Sequence, residues 1–124
     1  MPAKDDALFQ ISELEHHNGI INAALDINKD CDIFKGHFPS HPVVPGACML
    51  QIVKDVLEEA LQTSLRLKKA DHLKFASMID PTITQKVLLN LSCKFVEDDS
   101  MKVTAKLIAG ETACFKFQGT FLIV

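Results

Sequence analysis

The chain has 124 residues, 48% of them hydrophobic and 23% charged. That suits one globular domain with an ordinary core; it is too apolar for disorder and too short for a (β/α)8 barrel or a full doubly wound cofactor enzyme. Thirteen basic against sixteen acidic residues give a net charge of −3, and the aromatic set is eight Phe with no Tyr and no Trp. Both features weigh against a nucleic-acid stacking platform, and the charge weighs against a general pull toward an anionic membrane. Cys31, Cys48, Cys93 and Cys114 have no CxxC spacing. The opening MPAKDDALFQ is acidic without an apolar core, and no apolar run reaches the roughly 18 residues a membrane span needs. The expectation is reduced thiols in a cytoplasmic protein.

In chain order, residues 1–7 read as a frayed end and Leu8 to His17 as a strand. Asn18-Gly19 is a tight-turn signal, and the apolar alternation Ile21, Ala23, Leu25, Ile27 marks a second strand. Residues 30–45 hold Gly36, Pro39, Pro42 and Pro45 and read as an ordered loop rather than an element. From Gly46 to about Gln62, Met49, Leu50, Val53, Leu57, Ala60 and Leu61 recur at helical steps, with Gln51, Lys54, Asp55, Glu58, Glu59 and Gln62 opposite. Lys69 to Ser77 reads as a weaker strand ending near Pro81. Three clean alternations follow, over 87–95, 101–109 and 113–123, separated by turns at Asp98-Asp99-Ser100 and Gly110-Glu111. One helix against a run of strands predicts an α+β domain with an antiparallel sheet, spanning 1–124.

Chemistry is concentrated in the loop entering the helix, Gly36-His37-Phe38-Pro39-Ser40-His41-Pro42-Val43-Val44-Pro45-Gly46. Three prolines at fixed intervals hold the chain on one path. The loop ends at a helix start, where free N–H groups favour negative charge, and Gly46 admits a close approach to the backbone. A histidine placed beside such donors has the makings of an acid/base group with an oxyanion site. On residue type alone, a loop histidine is more often a solvated, hydrogen-bonded side chain.

This segment resembles the G-H-F-P-x-x-P-x-x-P-G signature of hot-dog-fold 3-hydroxyacyl-acyl carrier protein dehydratases of the FabZ and FabA type. All seven fixed positions are matched, by Gly36, His37, Phe38, Pro39, Pro42, Pro45 and Gly46. The resemblance covers about 16–60, with weaker likeness at Lys74-Phe75 and Ile79 to Pro81. It implies a hot-dog fold: a curved antiparallel sheet wrapped around one long central helix. It also implies roles. His37 would remove the C2 proton of a 3-hydroxyacyl thioester. The Gly46 amide would polarise the thioester carbonyl, and the Val43 carbonyl would fix the tautomer of His37. Phe38, Pro45 and Cys48 would line the substrate path.

Fourteen residues after His37 the family carries Glu or Asp to assist departure of the hydroxyl; here the residue is Gln51. An amide orients a hydroxyl or a water but delivers no proton at neutral pH. One reading has His37 perform both proton transfers while Gln51 holds the hydroxyl. Asp55, one turn further on, is a second candidate, and a third reading leaves Gln51 solvated in the polar stripe. His41 reads as a substrate-mouth or surface residue and His16-His17 as solvent-facing, without a third ligand for a metal. Cys48 has no evident orienting base and reads as a small packed side chain rather than a nucleophile. Phe115, Phe117 and Phe121 read as core, and Arg66, Lys68 and Lys69 as a helix-end set, with an acidic carrier's docking patch as the alternative.

The function implied is dehydration, or reverse hydration, of 3-hydroxyacyl thioesters on acyl carrier protein or coenzyme A. It implies no metal or cofactor. The expected assembly is a homodimer, a multiple of dimers or a pair with a hot-dog partner, in which His37 and Gln51 meet across subunits. The alternatives are an acyl thioesterase, for which Gln51 is easier to accept, and a catalytically weak acyl-binding or partner subunit.

Overall fold

The computed structural model describes residues 7–36, 43–97 and 99–124. The elements are β1 (Phe9–His17), β2 (Ile20–Ile27), α1 (Ile33–Gly36), α2 (Gly46–Leu61), β3 (Leu65–Phe75), β4 (Lys86–Phe95), β5 (Ser100–Ala109) and β6 (Thr112–Ile123). Asn18 and Gly19 have φ of 50° and 79°, the left-handed pair that turns a two-residue hairpin with the twist of its strands. A side chain on Gly19 would stand 2.7 Å from the Cys93 carbonyl oxygen, so glycine is required there twice over.

The strands form one antiparallel sheet in the order β1-β2-β4-β5-β6-β3. Its inner face carries Ile21, Leu25, Val87, Leu89, Met101, Leu107, Phe115, Phe117 and Phe121, all buried. These join the buried face of α2 (Met49, Ile52, Val53, Val56, Leu57) in one contiguous core. The Phe-rich last strand is core, as its alternation predicts. Leu50, Ala60 and Leu61 only flank that core; the helix turns Ile52 and Val56 inward instead. The helix ends at Gln62, whose left-handed φ of 51° lets its N–H bond back to the Glu58 carbonyl. The Glu58 carboxylate then accepts the Leu65 N–H at 2.8 Å, tying the helix end to the start of β3.

Several expectations are corrected. The segment 30–45 is not wholly loop: Ile33–Gly36 makes a short helix, and Cys31, Phe34 and Val44 enter the core. β3 starts at Leu65 rather than Lys69 and ends at Phe75 rather than Ser77. Arg66, Lys68 and Lys69 therefore lie in a strand, beyond the end of α2, and cannot serve its dipole. Register shifts at Leu67/Lys69 and Ala70/His72 explain the weak alternation of β3. Another at Leu107/Ile108 buries Cys114 beside Phe115, where simple alternation would bury Ala113. The expected frayed end lies outside the described residues except for Ala7, whose carbonyl accepts the Asn28 side-chain amide at 3.0 Å. Among the described residues no helix is long and apolar enough to cross a membrane.

Candidate active site

α2 opens at Gly46 after Pro45, whose φ of −61° and ψ of 147° stop the helix from starting earlier. The first helical hydrogen bonds run from Cys48 and Met49 to the Pro45 carbonyl, at 3.0 and 3.2 Å. The N–H groups of Gly46 and Ala47 thus have no partner within the helix, as any helix start requires. No acidic side chain stands in the first turn, so the helix itself supplies no carboxylate against the positive end of its dipole. One residue earlier, Val44 is buried and donates its N–H to the Ile79 carbonyl at 2.9 Å. That bond fixes the approach of the chain to Gly46.

Beside this helix start lies a groove of about 700 Å³, lined by Val43, Pro45, Gly46 and Met49 on one side and by Phe75 and Met78 on the other. Among the described residues no charged side chain lines it. The Phe75 ring lies directly on Gly46: a Cβ there would meet ring atoms at 2.7, 2.8 and 3.3 Å. Phe75 in turn stacks on Phe115, with centroids 5.1 Å apart and planes 28° apart. The small residue at 46 brings the ring and the helix start together. An amide donor at a helix start, set in an apolar groove, can stabilise a developing oxyanion far better than the same donor in water.

Of the residues singled out from the sequence, Val43, Pro45 and Gly46 meet at this groove. Cys48 sits in the first helical turn, outside the groove lining and partly buried; burial, and next its neighbour Cys31, pushes its thiol above the ordinary value of 9.0. That environment favours a packed thiol over a nucleophile. Gln51 is exposed on α2, also outside the groove lining, and its Nε2 donates to the Asp55 carboxylate at 2.7 Å. The two polar candidates of the helix are thus a single hydrogen-bonded pair. His37, Phe38 and His41 lie outside the described residues. His16 and His17 are exposed on β1. Phe75 was not assigned a role from sequence. The available signal was the glycine opening the helix, which implies close contact but does not say with what.

A six-stranded antiparallel sheet on one long helix is the hot-dog fold. More narrowly, residues 12–117 match the family model of ApeI dehydratases, and the chain belongs to that ApeI-like family. Among solved structures, the dehydratase heterocomplex ApeI:P from Xenorhabdus doucetiae is similar, with 16% identity and a TM-score of 0.72 over 91% of this chain and 96% of that one. A conserved protein from Pseudomonas aeruginosa has 14% identity and a TM-score of 0.67, covering 100% of this chain and 95% of its own. A mutant thioesterase from the same organism has 7% identity and a TM-score of 0.66, covering 94% and 81%. At these identities the structural likeness establishes the fold alone.

Proposed function

We propose that the protein is a hydro-lyase of 3-hydroxyacyl thioesters. His37 removes a C2 proton as the thioester carbonyl takes up enolate charge against the Gly46 N–H. The C3–O bond then breaks, the hydroxyl leaves with the proton returned from His37, and the products are the enoyl thioester and water. Gln51, held by Asp55, accepts a hydrogen bond from the 3-hydroxyl and orients it without supplying a proton. The observation that carries this reading is the Gly46 amide, without a partner inside its helix, on a groove whose described lining bears no charged side chain. Membership of the ApeI-like family supports it.

By the same reading the chain acts as a single hot-dog domain, in the cytoplasm, in fatty-acid or related acyl-chain synthesis. It works as a homodimer, or with a hot-dog partner, that brings Gln51 of one subunit to the groove of the other. Two features support this assembly: Gln51 is not in its own chain's groove, and β3 is an open sheet edge bearing half-exposed Leu73 and Phe75. The test is a panel of 3-hydroxyacyl thioesters with wild type and His37→Ala, following enoyl formation. Loss of general-base help should lower kcat by about 10²–10⁴; a fully active His37→Ala protein refutes the mechanism.

A second reading, thioester hydrolysis, is favoured by the Gln51–Asp55 pair, a neutral amide suited to holding a water. Release of free thiol without enoyl product from the same panel would establish it in place of dehydration.

A further inference from the structure

A buried thiol and a groove hydroxyl take no part in the proposed elimination, yet they are bonded to each other. The Ser77 Oγ–H donates to the Cys114 sulfur at 3.2 Å, and the Cys114 S–H donates to the Thr112 carbonyl at 3.6 Å. The direction of this relay is forced at its end. A carbonyl oxygen accepts and never donates, so the single thiol proton points to Thr112 and the sulfur is left to accept from Ser77. Cys114 is buried, whereas Ser77 is exposed and lines the groove beside Gly46. The Ser77 hydroxyl proton is therefore turned toward the core, and the side chain offers the groove an oxygen that accepts. Among the described residues lining the groove, no other side chain carries a nitrogen or an oxygen. The N–H groups of Ala76 and Ser77 both donate to the Cys114 carbonyl, at 2.8 and 3.3 Å, so this wall turns its donors away from the groove.

We infer that Ser77 binds the substrate by accepting a hydrogen bond from an amide N–H, that of the cysteamine unit next to the thioester in the arm common to acyl carrier protein and coenzyme A; this rests on the thioester reading of the groove. Two contacts place Ser77. Val44 donates its N–H to the Ile79 carbonyl at 2.9 Å, and the Phe75 ring lies on Gly46. The segments 44–46 and 75–79 thus pass each other in opposite directions, with Ser77 midway between the two contacts. Two residues of chain reach at most about 7 Å, which keeps Ser77 alongside the Pro45–Gly46 step. The groove then has a donor on one wall, the Gly46 N–H, and an acceptor on the other. The thioester arm presents the complementary pair: a carbonyl and, just beyond its sulfur, an amide N–H. A hydroxyl whose proton is held elsewhere gives nothing to an anion, which sets this contact apart from phosphate binding. Cys114 is a positioning residue that acts through Ser77. Without the sulfur the hydroxyl can donate as well as accept, and it no longer distinguishes an amide from an ester.

The experiment compares two matched ligands, an N-acetylcysteamine 3-hydroxyacyl thioester and its O-acetyl-2-mercaptoethanol counterpart, in which an ester oxygen replaces the amide N–H. Each is also made as a ketone, with a methylene for the thioester sulfur and no 3-hydroxyl, so that binding is titrated by NMR without turnover. Wild type should bind the amide ketone about three- to tenfold more tightly than the ester ketone, the size of one net hydrogen bond. In Ser77→Ala, whose fold a thermal melt checks, the amide ketone should weaken until the two bind alike. In Cys114→Ala the ester ketone should tighten instead, narrowing the same ratio from the other side. The kcat/KM of Ser77→Ala should fall by the same factor for the N-acetylcysteamine thioester. A fall for the coenzyme A thioester, the carrier protein thioester or both then shows whose arm the contact serves, and a fall for neither overturns the inference. Equal ketone affinities in wild type also overturn it, as does an amide preference that survives Ser77→Ala. An ester ketone bound no better by Cys114→Ala overturns the role given to the thiol. If the ketones follow the expected pattern while no thioester turns over, the catalytic reading fails and the Ser77 contact stands.

Discussion

Replacing Gly46 by Ala tests the contact that builds the groove. The new methyl would overlap the Phe75 ring, with Cζ at 2.7 Å and Cε1 at 2.8 Å. Phe75 is 51% exposed, so its ring can swing outward rather than force the backbone apart. In doing so it forfeits the stack on Phe115, worth about 1 kcal/mol, and part of a half-buried side chain, worth about 0.5–1 kcal/mol. Against this, removing a glycine from a helical position returns about 0.5–1 kcal/mol. Gly46→Ala should therefore destabilise by about 0.5–1.5 kcal/mol, or roughly 2–6 °C in Tm for a chain of this size. Phe75→Ala alone should cost about 2 kcal/mol. In the Phe75→Ala background the methyl meets no ring, and Gly46→Ala should stabilise by about 0.5 kcal/mol. The coupling measured by urea denaturation of the four proteins should then exceed about 1 kcal/mol. If the two changes add to within about 0.3–0.5 kcal/mol, as independent sites do, the ring does not rest on Gly46 and the groove is misdescribed.

Gly119→Ala should be far worse. The residue is buried, and its Cβ would run into the Lys69 carbonyl oxygen and the Phe117 ring; relief means separating β3 from β6, for about 3 kcal/mol in urea denaturation. Gln51→Glu replaces the amide that donates to Asp55 and sets two carboxyls one helical turn apart. Repulsion keeps one of them protonated to higher pH, which suits a proton donor. Dehydration should speed up about tenfold or more, with kcat falling at alkaline pH; an unchanged rate refutes the role given to residue 51. The thiols of Cys48 and Cys93 are raised above 9.0, in both cases chiefly by burial. A raised folded value means that the folded chain holds these protons longer. Their contribution to stability is complete below about pH 9 and is lost as pH rises through the folded values. Denaturation midpoints of wild type should fall at alkaline pH, and less so for Cys48→Ala/Cys93→Ala.

Much of the fold was legible because most of its strands alternate cleanly. Val87, Leu89 and Leu91 are buried on one face of β4, as are Met101, Val103, Ala105 and Leu107 on β5. The Asn18-Gly19 hairpin and the Pro45 helix start were equally plain, since each depends on two residues and their backbone preferences. β3 was hardest to read: two register shifts break its period, and its outward side chains are charged. Lys68 and Lys69 look like a helix end when the strand beneath them is not seen. The loop motif marked the candidate site, but the wall facing it comes from Phe75 and Met78, some 30 residues on. No local pattern links a helix-opening glycine to a particular ring across the fold. The pairing of Lys74, Lys116 and Lys106 across β3, β6 and β5 is invisible in the sequence for the same reason: the three are far apart along the chain and meet only through strand register.

Gly46 is asked to satisfy two demands at once. One is steric, because Phe75 leaves no room for a side chain. The other is chemical, because the proposed oxyanion must reach the Gly46 N–H. A single substitution confounds them, since a displaced ring reshapes the groove while the methyl crowds the amide. The Phe75→Ala background separates them. There Gly46→Ala meets no ring and should leave the fold at least as stable, so any further fall in dehydration rate reports access to the amide alone. Loss of one oxyanion donor is worth about 10²–10³ in kcat. A double variant as active as Phe75→Ala would mean that the glycine is there for packing and that the carbonyl is polarised elsewhere.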